Sequence, residues 1–127
     1  MVSTTVFWVC FSLTLLALFV AFGAGLRRAR RLHLVTAPLS LVLLTVTVLL
    51  TEALVAARDF PPDAMDTHLP LAKTAGGLAL VVAVTGVYLW RTGRGRRCHF
   101  WCVVAFMLCA VAATVTGLWA FSLSTVR

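Results

Sequence analysis

MVSTTVFWVCFSLTLLALFVAFGAGL, residues 1–26, carries no charged side chain, and RRARRLH, residues 27–33, follows it directly. An α-helix rises ~1.5 Å per residue, so about twenty apolar residues cross the hydrocarbon core of a bilayer. The first stretch meets that requirement and then stops abruptly at Arg27, Arg28, Arg30 and Arg31. It has no basic start, it is long, and the arginines hold its far end, so it reads as an uncleaved membrane helix rather than a secretory signal.

Working outward, the same pattern recurs three times, in Leu34–Ala57, Leu69–Trp90 and Phe100–Val126. Composition agrees: 61% of the 127 residues are hydrophobic and only 12% charged, about half the charged share of a soluble domain. The expected architecture is all-α, a single transmembrane domain over residues 1–127 with helices at about 2–26, 34–57, 69–90 and 100–124. Short connections, about seven to twelve residues, make consecutive helices antiparallel neighbours, giving an up-down-up-down four-helix bundle. No connection has room for a catalytic domain.

The net charge of +7 would point to nucleic acid in a soluble chain, but here the arginines sit at the ends of apolar segments. Arg27, Arg28, Arg30 and Arg31 fill the first connection and Arg91, Arg94, Arg96 and Arg97 the third, whereas the second holds Asp59, Asp63 and Asp66 against Arg58. By the positive-inside rule the two arginine loops face the cytoplasm and both termini lie outside. The expected setting is a multi-pass protein of the inner, cytoplasmic membrane, in contact with lipid and not with nucleic acid. Trp8, Trp90, Trp101 and Trp119 fall near the expected interfaces, where aromatic residues settle.

Ionisable side chains within a span are costly, so they are the first candidates for function. These are His33, Glu52, His68, Lys73 and His99. His33 opens the second helix and His99 the fourth, from the same side and on parallel helices, so the two imidazoles stand at matching depth. A pair of imidazoles on facing helices can hold a six-coordinate haem b, or copper. At the other end Glu52, His68 and Lys73 are brought close by the second loop: Glu52 and Lys73 can form an ion pair, and His68 with Glu52 is a secondary candidate metal site. Nineteen residues separate His33 from Glu52, ~28 Å along one helix, so they belong to different sites. Cys98 and Cys102, one helical turn apart beside His99, can bind a soft metal or serve in packing, and no disulfide framework is expected. No nucleophile with its base, paired carboxylates, phosphate loop or zinc-protease motif occurs, so the chain does not read as an enzyme.

Arg31-Leu32-His33 before the second helix, Thr67-His68 followed by Leu71-Ala72, the basic loop ending in His99, and Val115-Thr116-Gly117 eighteen residues further on form a pattern over residues 31–117. In this the chain resembles a family of small four-helix bacterial membrane proteins found with haem-copper oxidases, including a cytochrome oxidase assembly factor. Members of that family carry a further histidine near the outer end of the second matched helix, where this chain has Glu52. The resemblance implies an accessory or assembly role beside a larger membrane protein such as an oxidase subunit. Together the residues and the resemblance lead to a non-enzymatic respiratory-chain protein holding haem b or copper through His33 and His99, with His68 and Glu52 as secondary ligands. The competing expectation is a structural or interaction subunit with no cofactor.

Overall fold

The computed structural model describes residues 3–126, so the expected start of the first helix at residue 2 lies outside the described residues. The four apolar stretches are four helices, α1 (Thr4–Leu26), α2 (Arg30–Val55), α3 (Pro62–Thr92) and α4 (Arg96–Ser122). Each is long and apolar enough to cross a membrane. Two-residue extended segments, β1 (Arg58–Asp59) and β2 (Thr125–Val126), complete the secondary structure.

Three helices begin earlier than their apolar residues do. Arg30 and Arg31 are the first turn of α2, and Arg96 and Arg97 the first turn of α4, because arginine is a good helix former whose long stem lets the charge leave the apolar zone. α3 begins seven residues before Leu69, with Pro62 in its first turn and Asp63 favourably placed near the positive end of the helix dipole. It then runs through Pro70, which costs one backbone hydrogen bond rather than ending the helix.

These early starts shorten the basic connections to residues 27–29 and 93–95. At the end of α1 the Ala29 amide bonds to the Ala24 carbonyl at 2.9 Å and the Arg28 amide to Gly25 at 3.2 Å, a Schellman closure. Its left-handed position is held by Arg28, φ 58°, where glycine is the usual occupant. The turn after α3 uses glycine there: Gly93 (φ 68°) and Gly95 (φ 82°) flank Arg94.

The chain forms two compact units, one holding α1 and α2 and ending at Arg58, the other, Asp59–Val126, holding α3 and α4. Each is an antiparallel helical hairpin. In the first, Phe7, Thr14, Leu18, Ala21 and Ala24, on one stripe of α1, are buried with Ser40, Thr47 and Leu54 of α2. The hydroxyls of Thr14 and Thr47 meet at 2.7 Å in that seam. Thr14 donates to the Cys10 carbonyl at 2.8 Å, so Thr47 is the donor between the helices. In the second hairpin, small Ala64, Ala75 and Ala79 of α3 are buried with Phe106, Met107 and Ala120 of α4. Close approach of this kind replaces the hydrophobic drive that lipid does not supply. The large apolar side chains face outward: Leu80 is 71% exposed, Val84 69% and Leu108 68%, as suits a hydrocarbon solvent.

Candidate functional site

His33 lies in the first turn of α2, where the short turn after α1 lays its ring across the end of α1. Its Nδ1 stands 2.9 Å from the Ala21 carbonyl oxygen. A carbonyl only accepts, so Nδ1 carries the proton. The ring occupies the space left by Gly25, where an added Cβ would stand 3.3 Å from Nδ1 and 3.4 Å from Cε1.

His99 repeats this construction in the second hairpin. It lies in the first turn of α4 with Nδ1 3.0 Å from the Thr85 hydroxyl of α3. Thr85 Oγ1 is also 2.8 Å from the Val81 carbonyl, to which it donates its one proton, so the imidazole donates to Thr85. The next residue, Gly86, supplies the space: a Cβ there would come within 3.2 Å of His99 Cε1.

His68, on the second turn of α3, makes the reciprocal arrangement with α4. Its Nδ1 is 3.2 Å from the Thr116 hydroxyl, and the ring lies within hydrogen-bonding reach of the Ala113 carbonyl. Thr116 donates to the Ala112 carbonyl at 2.9 Å, which again makes the imidazole the donor. Gly117 follows, and a Cβ on it would stand 3.0 Å from Cε1 of His68. All three rings are half-buried.

One rule covers the three sites. An imidazole near the start of one helix lies on a glycine near the end of its antiparallel neighbour and donates its Nδ1 proton to an oxygen of that neighbour. His68 and Gly86 are eighteen residues apart on α3, and His99 and Gly117 are eighteen apart on α4, so the α3–α4 hairpin carries the same clasp at both ends. The two are separated by ~27 Å along the helices and cannot share one small ligand.

The sequence therefore located the histidines but not their partners. Ala21, Gly25, Thr85, Gly86, Thr116 and Gly117 position the rings, and only Val115-Thr116-Gly117 stood out beforehand. Its twin, Val84-Thr85-Gly86, stands the same distance after His68 as that motif does after His99, and this was the available signal. Glu52 is exposed on α2 of the first unit, and Lys73 is exposed on α3 of the second, on the helix that carries His68. Among the described residues no group of three or more His, Cys, Asp or Glu side chains gathers as a metal site. Cys98 and Cys102 lie within hydrogen-bonding reach of each other along α4, and Cys98 is an exposed free thiol.

Comparison of the chain with protein-family models, with curated proteins and with solved structures found no match.

Proposed function

We propose that this protein is a non-enzymatic accessory of a respiratory chain in the cytoplasmic membrane, holding a haem b between the imidazoles of His33 and His99. In this reading the helices form an up-down-up-down bundle with the arginine turns in the cytoplasm and Asp59, Asp63 and Asp66 on the opposite side. The role is transient binding of the cofactor, or passage of an electron through it, beside a larger partner such as an oxidase subunit.

The observation that carries the reading is the protonation state imposed on both rings. Ala21 O accepts the Nδ1 proton of His33 and Thr85 Oγ1 that of His99, so each ring is oriented by a bond from Nδ1 to the neighbouring helix. A metal-binding histidine is characteristically oriented by such a bond through its other nitrogen, which also strengthens it as a donor. Gly25 and Gly86 leave the space that the two rings occupy. Haem suits this donor set better than copper, because its porphyrin supplies four nitrogens and asks the chain for two axial imidazoles only. Iron bound in this way undergoes one-electron oxidation and reduction.

Protein purified in detergent is expected to show a Soret band that shifts on dithionite reduction, with His33→Ala and His99→Ala each abolishing the low-spin spectrum. A colourless, metal-free preparation would overturn the proposal. The alternative, a cofactor-free structural subunit, is favoured by one feature: the Thr14–Thr47 bond and the imidazole clasps join the helices of each hairpin without any ligand. Stable co-purification of colourless protein with an oxidase subunit would select it.

A further inference from the structure

We infer that the thiols of Cys98 and Cys102, one turn apart at the arginine-flanked start of α4, form a binding site for a single Cu(I) ion. The site goes beyond the haem reading, because it uses no imidazole and its test gives an answer whether or not haem binds. Three observations lead to it.

The first is spacing. Cys98 is the third residue of α4, and Cys102 lies four residues further along the same helix. Side chains at such a separation share one face, with Cβ atoms about 5–6 Å apart. Metal–thiolate bonds are ~2.3 Å long, so one ion can join two sulfurs up to ~4.6 Å apart, a distance that this Cβ separation allows. The two thiols lie within hydrogen-bonding reach of each other, so the sulfurs converge rather than splay. The imidazole of His99 is turned to α3, where it meets Thr85.

The second is exposure. Cysteine is among the residue types most often fully buried, yet Cys98 is exposed and Cys102 only half-buried. Neither belongs to the buried residues of α4, which are Phe106, Met107 and Ala120. Packing between α3 and α4 therefore leaves the Cys98 side chain unexplained. Both cysteines are free thiols, and the exposed one gives an ion its way in beside the arginine turn.

The third is charge. On binding, Cu(I) displaces one proton from each thiol to solvent and two copper–sulfur bonds form, so the bound unit carries a single negative charge. Arg96 and Arg97 stand in the same turn of α4 and Arg94 just before it, all exposed, and that turn holds no acidic residue. The positive end of the helix dipole adds to their effect. Asp59, Asp63 and Asp66 of the same unit belong to the other end of α3. Two soft donors suit Cu(I), a monovalent d10 ion that two thiolates in line satisfy. Structural zinc takes four ligands and an iron–sulfur cluster four cysteines, so neither matches a pair.

The test is an anaerobic titration of the full-length protein in detergent with Cu(I), in competition with the chromogenic chelator bicinchoninate. The expected result is about one Cu(I) retained per chain, with a sulfur-to-copper charge-transfer band in the ultraviolet. Cys98→Ser and Cys102→Ser should each lose the ion and the band while far-ultraviolet circular dichroism stays unchanged. Cys109→Ser, two turns beyond Cys102, should retain both, and so should His33→Ala, which would release any copper held by the imidazole pair. No Cu(I) held against the chelator, one ion shared by two chains, retention in Cys98→Ser, or loss in His33→Ala would each overturn the inference. The Soret band reports on the haem reading separately, so the failure of one proposal is distinct from the failure of the other.

Discussion

Replacing Gly117 by alanine puts the imidazole clasp to a quantitative test. The new Cβ would stand 3.0 Å from Cε1, 3.4 Å from Nδ1 and 3.6 Å from Nε2 of His68, so the ring has to withdraw from α4 by several tenths of an ångström. Its bond to Thr116 is already 3.2 Å long, and a retreat of that size breaks it. Overpacking costs about 1–3 kcal/mol and a lost interhelical bond in a membrane about 0.6 kcal/mol, while alanine in place of a helical glycine returns about 1 kcal/mol. The net expectation is a loss of about 0.5–2.5 kcal/mol. Gly76→Ala on α3 is the internal control, because a Cβ there meets nothing within 4 Å and the propensity gain of about 1 kcal/mol stands alone. Reversible unfolding by sodium dodecyl sulfate in mixed micelles, followed by far-ultraviolet circular dichroism, measures both. Gly117→Ala should be less stable than wild type and Gly76→Ala more stable, a contrast of about 1.5–3.5 kcal/mol. Equal stabilisation of the two variants would refute the claim that the His68 ring lies on Gly117.

The seam of the first hairpin predicts that Thr14→Val and Thr47→Val are coupled by about 0.6 kcal/mol in a double-mutant cycle, and additivity would show that the 2.7 Å bond contributes nothing. Arg28→Gly removes an L-residue from the left-handed position that closes α1 and should stabilise the hairpin by about 1 kcal/mol in the same unfolding assay. Thr85→Val deprives His99 of its acceptor while leaving the ring in place, so haem affinity in a titration should fall ~10–100-fold with the low-spin band shape retained. Cys98, exposed and two residues into α4 beyond the arginine turn, should react with a membrane-impermeant maleimide in inverted vesicles and not in intact cells.

The fold was legible in sequence wherever a single physical requirement governs it. Four apolar stretches long enough for the hydrocarbon core, two of them with a single charged residue, leave four helices as the outcome, and four helices are what α1 to α4 are. The ends of the helices were less legible, because hydropathy measures where lipid ends and not where backbone hydrogen bonding ends. Arg30, Arg96 and the segment from Pro62 to His68 are too polar to count as span, yet each continues a helix into the interface. A proline one residue after Leu69 would suggest a helix start, yet Pro70 is an interior residue of α3, since one missing amide is tolerated in a helix otherwise held by its neighbour.

The site was legible as to residue type only. Cost inside a membrane singled out His33, His68 and His99, and all three are half-buried and hydrogen-bonded to a neighbouring helix. What oriented them was hidden, because a glycine matters through the side chain it lacks and a carbonyl acceptor has no sequence signature at all. Ala21 acts through its backbone oxygen, and nothing in its identity announces that. Thr85-Gly86 and Thr116-Gly117 were readable in principle, as one dipeptide whose glycine falls eighteen residues after a histidine on two successive helices.

Everything proposed for the three rings depends on which nitrogen holds the proton. Nitrogen-15 spectra of the haem-free protein, labelled at histidine and held in detergent at a pH where the rings are neutral, report this directly for each side chain. The hydrogen-bond geometry predicts protonated Nδ1 and unprotonated Nε2 at His33, His68 and His99 alike. Protonated Nε2 at His33 or His99 would contradict it and remove the proposed iron ligand.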